Sequence, residues 1–173
     1  VDAGLWLGLI GVFGGTLGAV TGGLLVDRLA RKDPRWQLRV PVIGLVIALP
    51  TQLAFVLWPE THRIGGPDGL PFALVFMGLS AVFASFWIAP SYAAVQNLVP
   101  PHWRTQASAL MLLAINLLGL GLGPLVVGML SDYFAYTGVN SIRWALVVVL
   151  STCIFGAWCY WRGSIPYARA MSR

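Results

Sequence analysis

The fold is decided by residues 3–32, which read AGLWLGLIGVFGGTLGAVTGGLLV (3–26) followed by DRLARK (27–32). The first part has 24 positions without a charged residue, and a helix needs about 20 apolar residues to cross the hydrocarbon core of a bilayer. The second part then places one acid and three bases directly behind it. An apolar run that stops at a charge cluster predicts a transmembrane helix that ends at the water interface.

Four more uncharged runs follow, at residues 40–59, 69–103, 105–131 and 144–161. Only helices and closed barrels satisfy every backbone polar group inside a bilayer, and the alternating pattern of barrel strands is missing here. We therefore predict an all-α membrane protein of five transmembrane helices. The predicted helices comprise residues 4–27, 39–58, 70–97, 105–131 and 143–162.

Composition excludes other classes of protein. Charged residues make up 10% of the chain and hydrophobic residues 58%, whereas soluble domains carry about 25% charged residues. A water-soluble globule and a disordered chain are both excluded. The basic residues lie at helix ends rather than on a soluble face carrying aromatic residues, so we expect no nucleic-acid partner.

The same basic residues predict the orientation. Nine of the 11 Lys and Arg residues follow the first, third or fifth helix, and only Arg63 and Arg143 lie on the other side. By the positive-inside rule the segment begins outside and ends in the cytoplasm. We expect a multi-pass protein of the plasma membrane, which in a bacterium is the inner membrane.

Glycine spacing predicts where helices pack closely. Gly14, Gly18 and Gly22 recur every fourth residue in the first helix, which lets a neighbouring backbone approach. Shifting the chain by 105 residues places Gly14 on Gly119 and Gly18 on Gly123. This match predicts an inverted repeat of the first helix in the fourth, with the same packing role for its glycines.

The string from Gly23 to Lys32 resembles the cytoplasmic signature of the major facilitator superfamily (MFS), Gly-x-Leu-x-Asp-Arg-x-Gly-Arg-Arg/Lys, with Ala30 in place of its second glycine. The resemblance implies the C-terminal half of an MFS transporter, helices 8 to 12. A second stretch, SYAAVQNLVPP at residues 91–101, is similar to the spinster-like branch, whose animal members export lysolipids and sphingosine phosphate.

That family moves solutes by rocking two six-helix bundles about a central cavity. The resemblance therefore implies that the N-terminal bundle and helix 7 are absent from this chain and are its partners within the same protein. The other implied partners are the lipid bilayer and a substrate that is a small molecule, amphipathic or lysolipid-like. The interpretation as a half-size protein that pairs with itself or with a partner remains an alternative. A membrane receptor or assembly subunit that has the same fold but transports no solute is a second alternative.

By this resemblance, the charge cluster at residues 27–32 forms a gate at the cytoplasmic side. Asp27 lies at a helix C-terminus, where the helix dipole disfavours an anion, so it needs an external partner. In the family the equivalent carboxylate docks against the other bundle and the bases that follow complete the network. The implied cytoplasmic gate comprises Gly23, Asp27, Arg28, Arg31 and Lys32.

Neutral polar residues remain as candidates for contact with a solute. They are Ser85, Trp87, Ser91, Tyr92 and Gln96 in the third helix and Asn116 in the fourth. For Asn116 a hydrogen bond to another helix is an equal alternative. No ionisable acid or base lies in the interior of the five predicted helices, so either a coupling group belongs to the missing half or the carrier is a uniporter.

An enzyme or a cofactor protein is not expected. His62 and His102 are isolated histidines in loops on opposite sides of the membrane. No nucleophile, base or metal-ligand cluster accompanies them, and the serines and threonines of the predicted helices lack an ionisable partner. We predict neither a metal nor a cofactor.

Overall fold

The computed structural model describes residues 2–58, 63–64, 70–71 and 73–171. These residues include five helical stretches that are long and apolar enough to cross a membrane, so the predicted all-α membrane fold is confirmed. The five spans comprise Gly4–Ala30, Trp36–Leu57, Ala73–Leu98, Pro101–Tyr133 and Ser141–Met171. Between the second and third spans, the two-residue strands β1 (Arg63–Ile64) and β2 (Leu70–Pro71) pair antiparallel.

Seven α-helices build these spans. The first, second and fifth spans are single helices, whereas the third and fourth are each divided in two. The helices are α1 (Asp2–Ala30), α2 (Trp36–Leu57), α3 (Ala73–Ala84), α4 (Ile88–Leu98), α5 (Arg104–Ala114), α6 (Gly123–Tyr133) and α7 (Ser141–Met171).

Prolines explain both divisions. In the third span a 3-10 turn at Ser85–Trp87 precedes Pro90, which has no N–H to donate to the carbonyl four residues earlier. In the fourth span a π-helical segment, Ile115–Leu122, precedes Pro124. The wider π turn is the kind of local adjustment that accommodates a proline ring inside a helix.

The fifth helix is longer than the uncharged run indicated. We predicted an end near residue 162, but α7 continues to Met171 and includes both Arg162 and Arg169. The prediction counted only residues that fit in hydrocarbon. A helix satisfies its own backbone hydrogen bonds equally well beyond the hydrocarbon, so its length is not limited by the apolar run.

The second span is the centre of the bundle. It packs most extensively against the third and fifth spans and also contacts the first. Its residue Val40 joins Val26 of the first span and Phe86 of the third in a buried hydrophobic cluster. The fourth span packs on the fifth and on the end of the third, and none of its residues is buried.

Glycines bring the first and third spans together. A methyl group built on Gly14 would lie 2.8 Å from Ala81 Cβ, and one on Gly22 would lie 3.0 Å from Phe86 Cα. One on Gly18 would overlap the carbonyl group of Val82. At Gly18 the backbones approach too closely for any larger residue, whereas at Gly14 and Gly22 a methyl group would require the neighbouring atoms to shift.

The glycines of the fourth span that align with Gly14 and Gly18 do not lie against another helix in the same way. A methyl group on Gly119 or Gly123 would meet no other atom within 4 Å in the described part of the chain. Unlike Gly14 and Gly18, these two glycines make no close helix contact among the described residues.

Candidate solute cavity and charged turn

A cavity of about 570 Å³ lies between the second, third, fourth and fifth spans. Leu38, Leu98 and Met111 contribute to its apolar wall, and the fifth span adds Tyr160 and Tyr167. The cavity lies near the end of the bundle that carries the turn at residues 31–35, because it is lined by the start of the second span and the end of the third. We call this end of the bundle the basic end.

Two hydrogen bonds orient the tyrosines of the cavity. The hydroxyl groups of Ser91 and Tyr160 lie 2.7 Å apart, and Asn97 Nδ2 donates to Tyr167 Oη over 3.2 Å. Both bonds join the third span to the fifth. An apolar wall with a few fixed polar groups is typical of a site for a small molecule that is mostly apolar.

Sequence reasoning missed both tyrosines and Asn97. A signal was present, because Tyr160, Gly163 and Tyr167 recur at intervals of three and four residues and therefore share one helix face. The small Gly163 between the two rings lies against Leu38: a methyl group on this glycine would be 3.7 Å from the Leu38 side chain.

The structure does not bring the predicted solute contacts together. Ser91 lines the cavity, but Trp87 and Tyr92 are half-buried elsewhere. Gln96 Nε2 donates to Ser108 Oγ of the fourth span over 2.9 Å. Ser85 donates to the carbonyl of Ala81 in its own helix.

The side chain of Asn116 bonds to its own helix. Its Nδ2 donates to the carbonyl of Leu112 over 2.8 Å, within the same helix, and the side chain is exposed. In the described structure this amide therefore makes neither an interhelical hydrogen bond nor a wall of the cavity.

The charged turn, by which we mean residues 27–35 at the end of α1 and in the loop after it, leaves its predicted gate residues exposed. Asp27, Arg28, Arg31 and Lys32 are all exposed, while Gly23 packs beside Ala89 of the third span. The described residues contain one ion pair at this turn, in which Arg35 lies 4.0 Å from Asp33; the same carboxylate accepts from the Arg35 backbone N–H over 2.9 Å. Asp27 has no cation within that distance among the described residues.

Five apolar spans and a charged turn define a multi-pass helical membrane protein. The chain is 39% identical over 172 residues, 98% of its length, to a protein from Mycolicibacterium smegmatis named "MFS-type efflux pump". It spans 37% of the length of that relative. The similarity supports the MFS resemblance of the charged turn. Neither a family model nor a solved structure matches the chain.

Proposed function

We propose that this chain is the C-terminal part, helices 8 to 12, of an MFS exporter that works by alternating access. The observation that carries the proposal is the 39% identity to an efflux pump along 98% of the chain. Coverage of 37% of that protein fits a chain that represents one part of a two-bundle carrier. This similarity does not favour a receptor that keeps the fold without transporting, and it agrees with a protein that is not an enzyme.

Asp27 supports a gate at the basic end. The carboxylate is exposed at the C-terminal end of α1 and has no cation within 4.0 Å among the described residues. An anion at that end of a helix is unfavourable without a partner. We infer that the partner lies in the other bundle and that their contact stabilises the inward-closed state. Arg28, Arg31 and Lys32 complete the network, and the basic end faces the cytoplasm.

The solute we propose is amphipathic and lysolipid-like, in keeping with the spinster-like stretch at residues 91–101. The cavity supports this class through its apolar wall and its two oriented tyrosine hydroxyl groups. An acyl chain would lie along the wall and a neutral part of the headgroup would contact the hydroxyl groups.

Reconstitution of the full-length protein in proteoliposomes tests this function. We expect transport of a labelled lysophosphatidylcholine in preference to a small hydrophilic anion. Lack of transport of either probe, or of other lysolipids, by a monodisperse protein would contradict the proposal.

The same assay tests the gate. Asp27→Asn removes the charge without changing the size of the side chain, and we expect it to lower the transport rate about tenfold or more. The matched control is Asp33→Asn on the same turn, which removes a partly exposed carboxylate whose pair with Arg35 lies within the loop; its rate should stay near that of the natural protein. Equal rates for the two variants would show that Asp27 has no gating role.

A further inference from the structure

The outer face of the fifth span is aromatic and uncovered. Phe155, Trp158 and Trp161 are each more than half exposed, while Ser164 and Tyr167 on the opposite side of the helix are buried. The rings of Phe155 and Trp158 are stacked, with centroids 5.9 Å apart. This face therefore points away from the described bundle.

Two arginines lie on the tryptophans of this face. The guanidinium carbon of Arg39, from the second span, is 5.0 Å from the centroid of the Trp161 ring. The guanidinium carbon of Arg162 is 5.7 Å from the centroid of Trp158. Both distances are within the range of cation–π attraction. We call Arg39, Trp158, Trp161 and Arg162 the Arg–Trp site.

Arg39 lacks an acceptor for part of its guanidinium group. Its Nε is buried and has no hydrogen-bond partner among the described residues, and no described carboxylate lies within 4.0 Å of it. Buried donors in proteins are almost always paired, and an unpaired donor on a charged group is especially costly. The buried Nε is out of reach of a ligand outside the bundle, so an anion would meet the terminal nitrogens of Arg39, whose charge no described carboxylate neutralises.

The site lies at the depth of the lipid headgroups. Trp161 comes 20 residues after Ser141, where the fifth span begins; at 1.5 Å per residue this is about 30 Å, close to the thickness of the hydrocarbon core. Arg39 is 18 residues from the end of the second span at Leu57, a distance of about 27 Å. Both helices thus bring their parts of the site to the same membrane boundary.

We propose that the Arg–Trp site binds the headgroup phosphate of an anionic phospholipid, whose acyl chains lie along Phe155 and the exposed aliphatic side chains beside it. Planar guanidinium groups match phosphate oxygens in geometry and charge. The aromatic face extends from the cations toward the membrane centre, which suits a lipid and offers nothing to a free anion. This site depends on the membrane-spanning fold and not on transport.

The experiment measures thermal unfolding of the full-length protein in detergent during titration with phosphatidylglycerol, phosphatidylcholine or inorganic phosphate. We expect phosphatidylglycerol to raise the midpoint, and the other two additives to leave it nearly unchanged. Arg39→Gln should require about tenfold more phosphatidylglycerol for the same rise. The matched control is Arg104→Gln, an identical charge change at an exposed position on the fourth span at the basic end, which should titrate like the natural protein.

A second pair of variants separates this site from general attraction of anionic lipid. Arg39→Lys keeps the charge but loses the planar group, and we expect it to bind phosphatidylglycerol more weakly than the natural protein. Arg162→Gln acts on the other guanidinium and should weaken binding in the same direction, which tests the site even where Arg39 variants fold poorly. Unchanged titration of both variants, or an equal response to inorganic phosphate, would overturn the proposal.

Discussion

The hydroxyl groups of Ser91 and Tyr160 show how single residues connect the spans. Ser91 is buried beside Pro90 in the third span, and its partner comes from the fifth span, 69 residues away in the sequence. Gln37 of the second span adds a contact next to this one, because its Nε2 donates over 3.0 Å to the carbonyl of Pro90. These side chains hold the second and fifth spans against the proline-interrupted region of the third.

A double-mutant cycle measures the Ser91–Tyr160 bond. Ser91→Ala and Tyr160→Phe each remove one hydroxyl group, and the double variant should be less destabilised than the sum of the two. We expect a coupling of about 0.6 kcal/mol, the average found for hydrogen bonds between membrane helices, and no more than about 1.7 kcal/mol. The free energy of unfolding in mixed micelles provides the measurement. A coupling indistinguishable from zero would mean that the two hydroxyl groups do not stabilise each other.

At the scale of the element, the contact between the first and third spans depends on glycine. Gly14, Gly18 and Gly22 form a groove that admits the backbone of the third span, where Val82 and Phe86 lie against it. In lipid no hydrophobic force draws apolar helices together, so close packing carries much of the association. The third span therefore fits against the first only where side chains are absent.

Gly18→Ala tests this packing. The added methyl group would overlap the Val82 carbonyl, and we expect a loss of about 1–3 kcal/mol in the free energy of unfolding. Gly8→Ala in the same helix is the matched control, since its methyl group would meet no described atom within 4 Å. Alanine favours a helix over glycine by about 0.5–1 kcal/mol, so this control should be neutral or stabilising. Equal midpoints of thermal unfolding for the two variants would contradict the packing.

At the scale of the whole molecule, the charges are distributed unequally between the two ends of the bundle. Of the described Lys and Arg residues, eight lie at the basic end: Arg28, Arg31, Lys32, Arg35, Arg39, Arg104, Arg162 and Arg169. That end also contains the cavity, the charged turn and the Arg–Trp site. A cytoplasmic basic end would place the proposed gate, the candidate solute cavity and the proposed lipid site at the same membrane surface.

Labelling of single cysteines tests the orientation. With Cys153 and Cys159 replaced by serine, a cysteine at Asn140 and one at Arg35 report on opposite ends of the bundle, and both positions are exposed. We expect a membrane-impermeant maleimide added to intact cells to label position 140 directly and position 35 only after permeabilisation, since positive ends stay inside. The reverse pattern would place the gate outside.

The charged turn shows what can be derived from sequence and what depends on the resemblance. Five spans follow from uncharged runs, because a bilayer core is a uniform solvent whose thickness sets a minimum length. The role of Asp27 came from the MFS motif and stays a prediction. The extension of α7 to Met171 could not be derived from hydropathy, which does not limit a helix beyond the hydrocarbon.

By itself the sequence determined the helical membrane fold, the number of spans and the glycines of the first helix as candidates for close packing. Only the tertiary structure decided which side chains meet: Ser91 with Tyr160, Gln96 with Ser108, Arg39 with Trp161, and Asn116 with its own helix. The physical reason is that lipid and protein interior are both apolar. Hydrophobic residues therefore do not distinguish the two faces of a span, and the rotation of each helix about its axis is set by packing against its neighbours.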